Sequence, residues 1–496
     1  MSDTNRVGLR YARSSTRVPP ITLSPNEIRA LRITGTPSLG FQPNTIVSNE
    51  IQPDRQVSDL ILVGASAAGD IAFELSYGAF DDFIESALLS TWVNAPRSVG
   101  AGIVATGAGT IEVADASDYK IGHVVRLVDH DEGDPGDGVY VVTNIASDVL
   151  SVSPLDANTN AMTTSITTDA GTMLVVCGLI AASNGDLDIA VATGTLSVTA
   201  PAGFFDDAMG DGVDLAPGQW VKLSGFNLAA NRVWGRIVTV DDDVITMAAP
   251  TGAASETTTG RGVVWFGDYL RNGSAAIASR QFAIERRFQD HSPVTRELFT
   301  GMSVNTMALN LEPQQIATGT FGMLGFNSSV STTVTDLWNA EPTDIAAPAY
   351  DVYNTSSHVG RVGRGASQIT AAGNNFAIGA TIEVNNNMRE QLAIGVLGAV
   401  GIGVGEFSVS GSLNAYFDDA TLLNILLTGQ DTSFDIAMQA QDGRSVLFDL
   451  PRIKFNSGVP QVPGKNQDVV IDTGYQAIRS PTLGYTMHVQ RFHYSA

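Results

Sequence analysis

Six histidines, at 123, 130, 291, 358, 488 and 493, and one cysteine, Cys177, are the side chains best suited to metal binding or nucleophilic chemistry. No two of the histidines stand at a spacing that places metal ligands together on one predicted element. His488 and His493 flank Arg491 on a terminal strand and are expected at the surface. Cys177 lies in the apolar run MLVVCGLI, which predicts a buried, inert thiol. A single cysteine also excludes an internal disulfide framework and fits a chain made in a reducing compartment. The best metal candidate is the run Asp129-His130-Asp131-Glu132-Gly133-Asp134-Pro135-Gly136-Asp137, whose oxygen ligands could hold Ca²⁺. It lacks the spacing of a calcium loop, so a solvated hairpin tip is the expectation; Asp241-Asp242-Asp243 reads as a turn between strands. The spaced glycines of Gly398 to Gly405 precede a strand, whereas a phosphate cradle needs a following helix N-terminus. No nucleophile elbow, Walker loop or dinucleotide fingerprint occurs in its required context. The expectation is therefore no catalytic, metal or cofactor site.

The elements that would have to position any such group are organised around Gly69 to Leu89, GDIAFELSYGAFDDFIESALL. Ile71, Phe73, Leu75 and Tyr77 alternate, as on a strand with one buried face. The period then changes: Phe80, Phe83, Ile84, Ala87 and Leu88 line one face of a helix. Asp81 and Asp82 fall in its first turn, where the helix dipole favours negative charge. Near the C-terminus the same device returns as Gly405 to Leu427, GEFSVSGSLNAYFDDATLLNILL, with a helix expected over 417–428 and core positions Phe417, Leu423 and Leu427. Phe282-Ala283-Ile284-Glu285 recurs as Phe434-Asp435-Ile436-Ala437, and Gln289-Asp290 as Gln441-Asp442. The chain thus reads as one strand-helix-strand unit written twice, and such a repeat fixes the architecture.

The 496 residues carry 51 acidic and 28 basic side chains, a formal net charge of −23. The basic footprint of a protein that grips DNA is missing. Abundant glycine, 50 residues, together with alternating apolar patterns favours short strands and turns over long helices. No apolar run approaches a membrane span, and no secretory signal is expected from MSDTNRVGLRYARSS. The fold class is mainly β: duplicated β-sandwich or barrel units, each with a short α-helix, plus inserted small β-barrel modules. The boundaries are a first unit over 1–96 and 263–326, split by two small β modules at 97–180 and 181–262. A connector at 327–370 and a second unit at 371–496 follow. Residues 1–30 read as an arm that gains order only by docking, and the long connection within 31–67 reads as functional or contact-making.

The run Ile46-Val47-Ser48-Asn49-Glu50-Ile51-Gln52-Pro53-Asp54-Arg55-Gln56, followed by Gly69-Asp70-Ile71, Phe73 and Leu75-Ser76-Tyr77-Gly78-Ala79-Phe80-Asp81-Asp82, resembles the tail tube (major tail) proteins of long-tailed, siphovirus-type bacteriophages. Later segments fit in order: Ile284-Glu285-Arg286, Phe299-Thr300-Gly301-Met302, Thr318-Gly319-Thr320-Phe321, Asn385-Asn386-Asn387-Met388-Arg389 and Leu450-Pro451-Arg452-Ile453-Lys454. The resemblance covers most of 30–95 and 270–490; the pair of inserted modules departs from the single one such proteins often carry.

What the resemblance implies is a virion structural protein and not an enzyme. Its rings join their inner sheets into a barrel and stack into a hollow tail. The partners implied are further copies of the chain, a tape measure protein and tail terminator or distal tail proteins. Genome DNA passes through the lumen without specific binding, and nothing inserts in a membrane. A duplicated unit turns three chains into six equivalent positions, so a homotrimeric ring with pseudo-sixfold symmetry is expected. Acidity facing the lumen would repel phosphates. Ser48, Asn49, Glu50, Asp54, Arg55 and Arg389 are the candidate intersubunit and inter-ring contacts, with the N-terminal arm and the connector as further candidates. The modules are expected to decorate the outside, so that deleting 97–262 would leave assembly intact. The competing reading is a β-rich carbohydrate-binding adhesin or decoration protein.

Overall fold

The computed structural model describes residues 6–35, 37–128, 138–155, 171–183, 185–210, 212–258, 260–273, 277–364, 367–368, 377–418, 420–462 and 464–496. The acidic run 129–137, with its calcium reading, lies outside them. The chain is mainly β, with short helices.

One half consists of β1 (Val7–Arg13), β2 (Gly40–Val47), β3 (Leu60–Glu74), α1 (Asp81–Ala87), β4 (Phe282–Phe288), β5 (Thr295–Leu311), β6 (Thr318–Gly325) and β7 (Asn327–Ser331). The other consists of β8 (Val359–Arg364), β9 (Ala377–Asn385), β10 (Ser408–Tyr416), α2 (Thr421–Thr428), β11 (Thr432–Gln439), β12 (Ser445–Gln461), β13 (Val470–Ala477) and β14 (His488–Phe492). The antiparallel pairings match strand for strand. β1 pairs with β4, β4 with β5, β5 with β6 and β7, β6 with β3, and β3 with β2. β8 pairs with β11, β11 with β12, β12 with β13 and β14, β13 with β10, and β10 with β9.

Even the irregularities repeat. Register shifts fall between Phe282 and Ile284 and between Thr432 and Phe434, then between Val304 and Thr306 and between Phe455 and Ser457. A bulge re-aims a strand and is a designed feature, so its recurrence fixes the equivalence. Ile284 opposite Phe299 corresponds to Phe434 opposite Leu450, and Glu285 corresponds to Asp435. The sequence match of Phe282-Ala283-Ile284-Glu285 to Phe434-Asp435-Ile436-Ala437 was therefore two residues out of register, a shift that leaves side chains on their proper faces.

The halves meet where the C-terminal part of β5 pairs with β9. This makes one inner sheet in the order β2-β3-β6-β5-β9-β10-β13-β12. Its buried face carries Ile71, Phe73, Phe321, Met307, Ile382, Leu413 and Ile471. Phe73 stacks on Phe321 at 4.4 Å, and Phe83 of α1 stacks on Phe282 at 4.9 Å. Phe80, Phe83, Ile84, Ala87 and Leu88 are all buried in this core. The second helix departs from expectation: it starts at Thr421, after Phe417, which is only half-buried. Leucines at 422, 423, 426 and 427 surround the helix, and one face alone can point inward. Leu422 takes it, Leu423 is half-buried and Leu427 is 74% exposed.

The insertion leaves after Val93 and returns at Tyr269, whose amides bond each other's carbonyls at 2.8 and 2.9 Å. Its halves are joined. Met173–Ile180 pairs with Val263–Trp265, which pairs with Trp220–Ser224. Ile111, Leu127 and Tyr140 share one core with Leu196, Leu223 and Ile245. Asp241-Asp242-Asp243 forms the turn between Trp234–Val240 and Val244–Ala248, and Cys177 is buried.

Candidate assembly surface

Of the side chains best suited to chemistry, Cys177, His123, His488 and His493 are buried, whereas His291 is exposed and His358 half-buried. Tyr77 Oη lies 2.8 Å from His493 Nδ1, and His493 Nε2 lies 2.9 Å from Asp268 Oδ2. Asp268 also accepts from the amide of Ala95 at 2.8 Å, from Arg491 Nε at 2.7 Å and from Arg97. Burial pushes His493 down to about 4, against the pull of Asp268. Burial would raise Asp268, but His493 and Arg97 hold it below the usual carboxylate range. A tyrosine–histidine–aspartate relay resembles acid–base machinery, yet all three side chains are buried and a reacting group could not reach them. Its effect is to pin β14 to the end of β3 and to the segment entering the insertion. The expected surface location of His488 and His493 is thus overturned: β14 lies between β12 and the Asp268–Arg271 strand, beneath the insertion. No local pattern signals this, because Tyr77 and Asp268, which hold His493, and Arg271, which meets His488, are remote in the chain.

A second buried cluster ties the insertion down. Asp435 and Asp449 stand opposite each other on β11 and β12. Asp435 pairs with Arg361 of β8, and both oxygens of Asp449 take Arg236 Nη1 of the insertion, at 3.0 and 3.1 Å. Trp220, Trp234 and Trp265 close over Ala437, Leu447 and Phe492 around it. The corresponding face of the first half, Ala283 and Leu298, is covered instead by Ile21 and Ile28 of the N-terminal arm and by Leu337 and Trp338 of the connector. Arm and connector therefore dock on their own chain, and the insertion is part of the subunit's core as well as its outside.

Among the described residues, no group of three His, Cys, Asp or Glu could hold a metal ion, and no helix is long and apolar enough to cross a membrane.

What the fold leaves open is the inner sheet. Its solvent face bears Asp70, Glu74, Glu383 and Asp472 among threonine, serine and asparagine side chains. Lys454, at the end of that face, is tied to Asp431 at 3.3 Å. Among the described residues, its two edges, β2 and the C-terminal part of β12, pair with a strand on one side only. Exposed edges are templates for pairing with another chain. Phe41 is 38%, Val459 70% and Val462 76% exposed along them.

Both halves also extend a hairpin from the same end of this sheet. In the first, Ile46 pairs with Ile61 and Val47 with Leu60; in the second, Arg389 pairs with Gly403 and Glu390 with Ile402. The bulged registers make these equivalent positions. Asn49, Glu50, Asp54 and Arg55 are exposed at the first tip, with Ser48 half-buried, and Arg389 is exposed on the second hairpin. The tip at 48–59 is shaped by its own turns: the Ser48 amide bonds to Asp59 O at 2.9 Å and the Arg55 amide to Gln52 O at 3.0 Å. Ala65 N bonds to Leu397 O at 2.8 Å, so the hairpins touch. Beyond the charged candidates, both tips carry bare apolar side chains: Ile51 at 96% and Val57 on the first, Leu392 and Ile394 on the second.

The chain matches the family model for phage tail tube proteins over residues 4–477. No curated protein matches it.

Proposed function

We propose that this chain, which belongs to the phage tail tube protein family, forms three-membered rings that stack into the hollow tail tube of a long-tailed phage. The observation that carries the ring reading is the in-chain junction of β5 with β9. It joins two four-stranded halves of equal topology and leaves the same kind of junction unmade at the outer edges. Three copies then supply six equivalent halves around a ring, with strict threefold and approximate sixfold symmetry.

In such a ring the solvent face of the inner sheet becomes the lumen wall. Asp70, Glu74, Glu383 and Asp472 give that wall a negative field, which repels DNA phosphates and lets the genome pass during ejection. The two hairpins, with Ser48, Asn49, Glu50, Asp54, Arg55 and Arg389, reach the next ring, and their apolar tips are buried there. The insertion faces outward. A tape measure protein in the lumen during assembly, and terminator and distal tail proteins at the two ends, complete the partners of this reading, which needs no catalysis or cofactor.

Electron microscopy of the purified chain or of virions containing it tests the proposal. Stacked rings with strict threefold symmetry are expected. Strict sixfold rings would keep the tube and remove the three-copy ring. Particles that never stack, even in virions, would favour an adhesin.

A further inference from the structure

The junction inside the chain is a template for the seam between chains. We propose that the C-terminal part of β12 in one copy pairs antiparallel with residues 37–42 at the free edge of the next copy, in one definite register. Ser457 lies opposite Gln42, Val459 opposite Gly40 and Gln461 opposite Ser38. This seam rests on the ring reading above and adds to it the residues and alignment of the contact.

The register follows from the equivalences. Within the chain, Thr306 lies opposite Asn385, Ala308 opposite Glu383 and Asn310 opposite Thr381. On β5 and β12, Thr306 opposite Gly322 corresponds to Ser457 opposite Gly474, and Asn310 opposite Thr318 to Gln461 opposite Val470. On the other side, Ala67 and Ala68 of β3 lie opposite Phe41 and Gly40, as Val409 and Ser410 of β10 lie opposite Val384 and Glu383. The equivalence extends to side chains. Ser38 Oγ accepts from the Asp70 amide at 2.7 Å, as Thr381 Oγ1 accepts from the Ser412 amide at 2.9 Å.

Three features of the free edges fit this seam. At the in-chain junction the core-facing side chains Met307, Leu309 and Leu311 meet Ala380, Ile382 and Val384, all buried. The corresponding set is Gly458, Pro460 and Val462 against Pro37, Leu39 and Phe41, in which Val462 and Phe41 stand exposed in the single chain. The seam covers both. Next, Ser38 N bonds to Asp70 O on β3, so the peptide groups of Leu39 point to the free side, because alternate residues of an antiparallel strand bond to opposite neighbours. Leu39 would face Pro460, which has no N–H to give. Its carbonyl already accepts from Arg286 Nη1 at 3.1 Å, so the proline leaves no acceptor unserved. Finally, Asn305 Oδ1 accepts from the Met388 amide at 2.8 Å beside the in-chain junction. Asn456 stands at the matching place, where it meets the Thr45 amide of the next copy.

Cysteine pairs read the register directly. Gly40 and Val459 form a non-hydrogen-bonded pair in this alignment, the kind whose Cα separation suits a disulfide. Gly40 has an ordinary backbone and room for a Cβ, and Cys177 is buried with its thiol pushed up to about 12. Tubes of the Gly40→Cys/Val459→Cys variant, mildly oxidised and run on a non-reducing gel, are expected to give covalent dimers and trimers. About tenfold more should form than in the shifted pair Gly40→Cys/Ser457→Cys. Gln42→Cys/Ser457→Cys tests the same register should the first variant not assemble, and Ala308→Cys/Glu383→Cys should close within one chain as a positive control. Tubes that form with crosslinks at the shifted pair, or at none of the seam pairs while the control closes, would overturn the seam and leave the tube standing. An unsubstituted chain that never forms rings would overturn the seam and the tube together.

Discussion

The two halves of the chain share a strand framework register for register, yet they are covered in opposite ways. In the first half the helix is sealed: Glu85 of α1, 3% exposed, takes Arg280 Nε at 2.8 Å, Arg13, and the Trp92 amide at 3.1 Å. The last strand of that half, β7, is mostly half-exposed. In the second half α2 shows Leu427 to solvent, while β14 is buried beneath the insertion. The insertion leaves the chain after α1 but lies on β11, β12 and β14. A duplicated framework can therefore be kept by alternation and bulges alone, while each copy's outer surface is free to acquire a different cover.

The sharpest way to break this comparison is to remove one cover. Replacing 97–262 by a short Gly/Ser linker is sterically simple, since Val93 and Tyr269 are already bonded to each other. It would nevertheless strip Trp220 and Trp234 from Ala437, Leu447 and Phe492 and leave buried Asp449 without Arg236. The expected outcome is loss of soluble, monodisperse chain by size-exclusion chromatography, contrary to the expectation of an assembly-neutral decoration. A soluble variant that unfolds cooperatively would show that the second half needs no cover.

The equivalent carboxylates offer a finer contrast. Asp435→Ala takes the buried carboxylate away from Arg361, which is 3% exposed, and breaking a buried ion pair by removing one partner costs about 3–5 kcal/mol. Glu285→Ala removes a partner from Arg10 and Arg296, but Asp344 and Glu341 remain within reach of them. The expected cost there is about 1–3 kcal/mol. Urea unfolding of the unassembled variants checks the order, and a reversal would mean that the N-terminal cover is the more dependent on its charge network.

The buried strand β14 should also make the second half sensitive to acid. His493 is held near 4 by burial, below the roughly 6.5 of an unfolded histidine. Its folded pKa is the lower, so its contribution is intact above about 6.5 and is lost as pH falls toward 4, at up to about 1.4 kcal/mol per pH unit. Comparing Tm at pH 7 and pH 5 for the native chain and His493→Gln should show a smaller acid-induced drop in the variant. Equal drops would place the acid-sensitive group elsewhere.

Much of this was legible in the sequence. Period-two alternation marked β3 and β10, and the change to helical spacing at Phe80 marked α1, because one buried face imposes one period. Register within the repeat was less legible: a two-residue slip keeps every side chain on its face, so like letters at Phe282 and Phe434 attracted a false match. The burial of His488 and His493 was invisible, since it depends on an insertion hundreds of residues away. The length of the connection within 31–67 and the family resemblance together made Ser48 to Arg55 contact candidates; the exposed apolar side chains Ile51 and Ile394 at the two equivalent tips needed the fold.

The smallest expected effect concerns the bare helix. α2 ends at Gly429, whose φ of 62° gives a left-handed cap, and its amide bonds to Leu426 O at 3.2 Å. A glycine cap fixes where the helix stops, and thereby which leucines face inward. Leu422 does, Leu423 and Leu426 lie at the margin, and Leu427 points away. Leu427→Ala should then change the stability of the unassembled chain by no more than about 0.5 kcal/mol. Ile84→Ala on the sealed helix should cost about 2–5 kcal/mol, since it opens a cavity in a packed core. Paired unfolding curves decide the matter. A cost above about 1.5 kcal/mol for Leu427→Ala would mean that α2 is sealed as α1 is, and that the halves share a cover as well as a framework.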